Sequence, residues 1–408
     1  MAKCEQHQLG DCLTLMSGGT PSKARNDYWG GDIPWVSCKD MKTERIHGAQ
    51  DHLTPLGAKN GTRLVPADTI LFVVRGMILA REFPVAMTKR TVAFNQDLKA
   101  AKPASFIDNE FLFQWLRANT YEILGRVDEA GHGTTRIQTD RLLSLPISVP
   151  PLPIQRRIAS ILSAYDELIE NNQRRIKILE TMARALYREW FVHFRFPGYE
   201  SVPRVASPLG EIPQGWEVRK LGDVAEVNRA QINARTAPEE LHYIDISSVS
   251  PGQIDSITTY AFADAPGRAR RIVQHGDVLW SCVRPNRRSH AQVMYPEPNT
   301  IASTGFAVLT ATKVPYAFLY FATTTDDFVA YLTNNATGAA YPAVTAQTFE
   351  KAELIIASTA LLRQFGDVTI PMAEKIHTLQ CQIQNLRRSR DLLLPRLLSG
   401  QIDMEAIS

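Results

Sequence analysis

The chain has 408 residues, 44% of them hydrophobic and 21% charged, with a formal net charge of +3. That balance excludes a disordered chain, a collagen-like repeat and a small disulfide scaffold, and the length suggests two to three domains. No run approaches 18 apolar residues, Met1 leads into no apolar stretch, and the five cysteines form no Cys-x-x-Cys pair, so a reduced, cytoplasmic protein without a membrane span is expected.

Taken in order, the chain reads as one passage written twice. Leu9-Gly10-Asp11 returns as Leu221-Gly222-Asp223, 212 positions later, and Ile33-Pro34-Trp35-Val36-Ser37 has a counterpart in Leu241-His242-Tyr243-Ile244-Asp245 at an offset of 208. Asp68 through Arg75 matches Asp277 through Arg284 at 209, and Gly131 matches Gly338 at 207. A drift of five residues over half the chain indicates duplication.

Each copy opens with a globular part of short apolar runs broken by Gly, Pro, Asn and Asp. Ile70 to Val74 and Val278 to Val283 read as buried strands, each preceded by an Asp. Phe111 to Leu124 and Tyr316 to Leu332 have helical spacing, with Leu112, Trp115, Leu116 and Ile123 on one face. A mixed α/β domain follows.

The second part of each copy is a heptad. Ile154, Ile158, Ile161, Tyr165, Leu168, Asn172, Ile176, Leu179, Ala183, Leu186 and Trp190 mark the first stripe. Leu361, Phe365, Val368, Met372, Ile376, Leu379, Ile383, Leu386, Arg390, Leu393 and Leu397 mark the second, and each has one four-residue stutter. A helix of 37 residues would span roughly 55 Å, longer than a small domain needs for its own core. The two stripes are expected to pair as an antiparallel coiled coil, with the two α/β domains in a pseudo-two-fold arrangement. Pro371 should kink the second helix or start it, and Pro395 poses the same question. The resulting division is domain 1–151, helix 152–195, connector 196–215, domain 216–358 and helix 359–408, with the proline-rich connector exposed.

No catalytic apparatus is evident. The chain has no G-x-x-x-x-G-K-[ST], H-E-x-x-H or G-x-S-x-G, and no Asn/Asp-Pro-Pro-Tyr/Phe tetrapeptide. Gly131-His132-Gly133-Thr134-Thr135-Arg136 starts like a dinucleotide fingerprint but has Arg in place of its third Gly. No metal-ligand spacing occurs, so a binding protein without catalytic residues, metal or cofactor of its own is expected.

Basic and polar clusters supply candidate contacts. Arg75 and Arg284 take matching places after matching strands, where a guanidinium can grip a guanine edge or a phosphate, or bond loop carbonyls. Arg268, Arg270 and Arg271 precede the second strand, and Asn286, Arg287 and Arg288 follow it, with Asp277 the one acid among them. Such an excess suits phosphate contact and equally a solvated loop. The glycine-bearing loops add Thr134, Thr135, Arg136 and Gln138 in the first copy and Tyr341 in the second, with a plain turn as the other reading. Trp190-Phe191-Val192-His193-Phe194 suits helix-end packing, and Asn172 at the seam could fix helix register or face solvent.

The order of parts and several phrases resemble the DNA specificity subunits of type I restriction-modification systems. The phrases are Ile33-Pro34-Trp35-Val36-Ser37-Cys38-Lys39-Asp40, Arg188-Glu189-Trp190-Phe191-Val192-His193-Phe194, Ile212-Pro213-Gln214-Gly215-Trp216-Glu217-Val218 and Leu394 through Asp403. Pro151-Leu152-Pro153-Ile154-Gln155 matches the family's helix opening, whereas Leu361-Leu362-Arg363-Gln364 keeps only the Gln. The resemblance implies a non-catalytic subunit whose two target-recognition domains each read half of a split, asymmetric site on double-stranded DNA. The half-sites would lie about one turn (roughly 10 bp) apart. It also implies helices that set the spacing and dock two methyltransferase subunits carrying S-adenosylmethionine, with ATP-dependent restriction subunits joining them. A coiled-coil scaffold whose α/β domains bind proteins is the competing expectation.

Overall fold

A computed structural model describes residues 4–130, 134–233, 235–399 and 401–402. They form two units: Met1–Asn171 with Ile383–Ser408, and Asn172–Gln382. Each therefore contains one globular domain and a stretch of both long helices.

The first globular domain has two main sheets. One orders its strands Leu13–Ser17, Leu98–Pro103, Ile70–Val73, Val85–Thr88 and Arg45–Ile46; the other runs Asp51–Leu53, Trp29–Val36, Val92–Phe94 and Arg63–Val65. The second domain repeats both. Its sheets order as Ala225–Val227, Phe306–Ala311, Val278–Ser281, His290–Gln292, and as Thr258–Ala261, Glu240–Ile244, Thr300–Ser303, Ala269–Ile272. Even the parallel pairing recurs, Trp29–Val36 on Val92–Phe94 and Glu240–Ile244 on Thr300–Ser303. In both domains the central strand is buried at every residue, as expected of an apolar run covered on both faces.

The repeated Leu-Gly-Asp has a local cause. It opens the short helices Leu9–Cys12 and Leu221–Val224, where Asp11 and Asp223 accept from the N–H of Gln8 and Lys220 at 3.1 and 3.2 Å. Leu9 and Leu221 are fully buried. A Cβ on Gly10 would meet Leu143, and one on Gly222 would meet Glu350, both at 3.3 Å.

The stretches expected as single helices are broken in two: Asn109–Ala118 with Thr120–Leu124, and Tyr316–Thr323 with Asp326–Asn334. Asn119 ends the first helix, and Thr325 caps the last by accepting from the Phe328 N–H. The 196–215 connector is not simply exposed. It holds the hairpin Arg204–Ser207/Gly210–Pro213, and Phe196 and Ile212 are buried in the second core.

The long helices run Leu152–Tyr187, continuing as a wider π-helical turn Arg188–Val192, and Thr359–Leu398. The second neither starts at Pro371 nor stops at Pro395. A mid-helix proline forfeits one backbone hydrogen bond, and burial of Leu361, Leu362, Phe365 and Leu379 along the same helix offsets it. The helices are antiparallel within each unit. Asp166 meets Arg390 in the first, and Asn172 donates to Gln382 at 3.4 Å in the second, so Asn172 faces the other helix and not solvent.

The buried stripe keeps much of the expected heptad, with Ile158, Asn172, Ala183, Leu361, Phe365, Leu379, Ile383, Arg390 and Leu397 buried, and moves by one residue only locally. Leu168 and Val368 are exposed, while Leu162, Asp166, Ile169 and Thr369 are buried. The reason is that each helix packs against a globular domain as well as its partner, which turns a different face inward. Gln155 belongs to that contact: nearly fully buried, it accepts from the Asp108 N–H at 2.7 Å and donates to the carbonyls of Phe106 and Pro150. Gln364 is exposed and does nothing equivalent. The Trp190–Phe194 cluster is helix-end packing, with Phe191 at 4.9 Å from Phe318 and 5.0 Å from Phe365 between ring centroids.

A buried charge cluster seals the helices to the first domain. Asp166 accepts from Gln114 Nε2 (2.8 Å), Arg117 Nη1 (2.9 Å) and Arg390 Nη1 (2.7 Å). Glu44 pairs with both arginines. Burial raises the Asp166 pKa, but Arg117, Gln114 and Arg390 together hold it below the usual carboxylate range.

Candidate nucleic-acid interface

In the first unit a hairpin, Val127–Ala130 with Thr134–Ile137, docks on the end of the central strand. Arg75 forms a bridge with Arg136, the Gly76 N–H donates to Thr135 O at 3.0 Å, and the Ile137 N–H donates to Val74 O at 3.0 Å. Alternation along the hairpin then decides which side chains are free. Thr135 is buried and its hydroxyl donates to the Gly76 carbonyl, so it fastens the hairpin instead of offering a donor outward. Arg75 and Arg136 are exposed side by side, and Gln138, also exposed, starts the helix Thr139–Leu143. Gly131, His132, Gly133 and the Thr134 side chain lie outside the described residues.

The second unit repeats the joint. Val283 bridges Ala343, the Arg284 N–H donates to Pro342 O at 2.7 Å, and the Val344 N–H donates to Cys282 O at 2.9 Å. Arg284 lays its guanidinium over the Tyr341 ring at 4.7 Å and donates to Ala340 O at 3.3 Å. Tyr341 itself is 69% exposed.

These bonds correct the expected equivalence of Arg75 and Arg284. The partner of Arg75 in the repeat is Val283, and the partner of Arg284 is Gly76, an offset of 208 where residue identity suggested 209. Asp68 and Gly276 confirm the shift: both take positive φ, at 59° and 88°, and donate their N–H to Thr88 and Val293. A one-residue slip in a strand sends every side chain to the opposite face, so the two arginines occupy different places.

The remaining arginines divide by exposure. Arg268, exposed, sits where Thr304 N–H reaches its carbonyl at 2.7 Å and Cys282 N–H reaches Gly305 O at 2.9 Å, which ties the Ala269–Ile272 edge strand to the site. Arg270 packs on Phe262 and donates to its neighbour's carbonyl. Arg271 is half-buried beside Cys282, whose thiol burial pushes up to about 11, and its Nε is sealed without a hydrogen-bond partner among the described residues. Arg288 pairs with Asp326, while Asn286 and Arg287 are exposed. His290, behind Arg288, stays neutral: burial first, then Arg184 and Arg288, push its pKa down to about 3.

Sequence reasoning missed Met77, which is 78% exposed beside this joint. The apolar run Met77-Ile78-Leu79-Ala80 carries no charge or hydrogen-bonding group to mark it, and only Leu79 of the four is buried. Among the described residues no group of His, Cys, Asp or Glu could hold a metal, and no helix is long and apolar enough to cross a membrane.

Residues 1–181 and 213–359 match the family described as the type I restriction modification DNA specificity domain. The chain belongs to that family. This specificity subunit is 25% identical to the type I restriction enzyme MjaIX specificity subunit of Methanocaldococcus jannaschii, over 98% of this chain and 94% of the relative. It is 32% identical to the EcoR124I/EcoR124II specificity subunit of Escherichia coli over 48% of this chain and 50% of that one. The S subunit of a type I system from M. genitalium shares the fold at a TM-score of 0.60 and 16% identity, covering 97% of this chain and 96% of that chain. The family is one of specificity and not of catalysis, and nothing supports the scaffold alternative for this specificity subunit.

Proposed function

We propose that each globular domain of this specificity subunit reads one half of a bipartite, asymmetric double-stranded DNA site. The observation that carries this reading is the duplicated strand-end and hairpin joint, one backbone frame bearing Arg75 and Arg136 in the first copy and Arg284, Tyr341, Asn286 and Arg287 in the second. A shared frame with unlike side chains suits two half-sites of unlike sequence. The helices set the separation of the half-sites and dock two methyltransferase subunits, and the exposed Leu168, Ile178, Met182 and Leu392 support a partner there. S-adenosylmethionine binds on those partners and not on this chain, ATP-dependent restriction subunits complete the assembly, and the complex works in the cytoplasm.

The test is to co-express the chain with the methyltransferase of its own system and sequence plasmid DNA for modified bases. A split motif modified on both strands is the expected outcome, and exchange of residues 1–150 for another such domain should alter one half only. A stable complex that leaves DNA unmodified would remove this reading.

A further inference from the structure

The turn that follows the central strand is built on the same hydrogen bonds in both units and ends in opposite chemistry. Gly76 and Arg284 each receive the chain from the hairpin joint, and their carbonyls accept from the N–H of Leu79 at 3.1 Å and of Arg287 at 2.9 Å. From there the first unit forms the short turn Met77–Ala80 and the second Pro285–Arg287. Within the first turn there is no cation; Arg75 and Arg81 flank it, and Met77 stands 78% exposed. The second turn presents Asn286 and Arg287.

Two other arginines hold that second turn in place. Arg284 and Arg288 flank it in the left-handed region, at φ of 51° and 56°, where residues with a Cβ rarely sit unless their surroundings fix them. Their guanidinium groups are committed, one to Tyr341 and Ala340 O, the other to Asp326. The side chains of Asn286 and Arg287 have no hydrogen-bond partner among the described residues.

Phosphates are alike at every base pair, so an element that grips the backbone keeps its chemistry when a domain is duplicated. An element that changes from apolar to hydrogen-bonding between copies has the property expected of one that reads bases. We propose that this turn is the base-reading element of both domains. Arg287 with Asn286 reads a purine edge in the half-site of the second domain, and Met77 packs on a thymine methyl in that of the first. Arg284 and Arg288 are positioning residues that touch no base. The proposal rests on the DNA reading above.

The experiment maps the modified motif produced by the full-length chain with its methyltransferase partner. Arg287→Ala should relax one base position of one half-site, lowering discrimination there on the order of 10- to 100-fold and leaving the other half intact. Arg287→Lys keeps the charge without the planar fork and should relax the same position. Arg284→Ala, acting through the turn, should weaken discrimination at that position and at no new one. Met77→Ala should relax one position of the other half-site by several-fold. Met77 and Arg287 are exposed, so these variants are expected to melt with the native protein. An unchanged motif for Arg287→Ala, with weaker modification at every site and a shallower salt dependence, would place Arg287 on a phosphate and overturn the proposal while leaving DNA reading intact. A native complex that modifies no discrete motif would overturn both.

Discussion

Asp277 lies 2% exposed at the foot of the strand that carries the second site, where the repeat places Thr69 in the first unit. Thr310 Oγ1 donates to it at 2.7 Å and the Gln274 N–H at 2.9 Å, yet burial pushes its pKa up from 3.8 to about 6. The folded protein thus binds this proton more tightly than the unfolded chain does. Stability from this group is complete below 3.8 and is lost as pH rises through about 6, by about 3 kcal/mol at most. Asp277→Asn removes the titration. Its melting temperature relative to the native protein should climb between pH 4 and pH 6 and then level off; a difference that ignores pH would show a carboxyl of ordinary pKa.

At the scale of elements, the cluster around Asp166 fixes how the helices meet the first domain. Arg390→Ala leaves Asp166 buried with Arg117 and Gln114 alone, which should cost about 3 kcal/mol. Denaturant unfolding monitored in the first unit measures it, and a loss below about 0.5 kcal/mol would mean that water replaces the guanidinium there. The helices and the buried central strands were legible because period and apolar runs report burial directly. The face of each helix was legible in part: Ile158, Asn172, Phe365, Leu379 and Ile383 are buried as the heptad expects, but a heptad counts one partner, and Leu162 and Asp166 answer to a globular domain as well. The site was legible in part. Arg284 and Tyr341 do meet, but matching Asp68 to Asp277 and Arg75 to Arg284 by identity slipped the register, since the feature the repeat keeps at Asp68 and Gly276 is a positive φ and not a side chain. Met77 escaped because an apolar run carries no mark of the turn that exposes it.

At the scale of the whole molecule, both units are assembled from separated stretches of chain or from both long helices. Leu394, Leu397 and Leu398 share the first core with Ile158, Leu162, Leu145 and Ile147. A chain ended after Gln382 therefore loses part of the first core and none of the second. Amide hydrogen exchange should quicken around Leu145 to Leu162 and stay native around Trp280 and Phe318; uniform loss of protection would instead make the two units one cooperative block.

The same feature bears on how the protein is made. The ribosome releases the first globular domain early, yet the residues that close its core, Ile383 onward, are translated only after the whole of the second unit. Everything from Asn172 to Gln382 is synthesised in between, so the second unit can finish folding while the first still waits with apolar surface uncovered. A ribosome that stalls just past Gln382 would consequently leave the earlier-made half, and not the later one, exposed to chaperones and proteases.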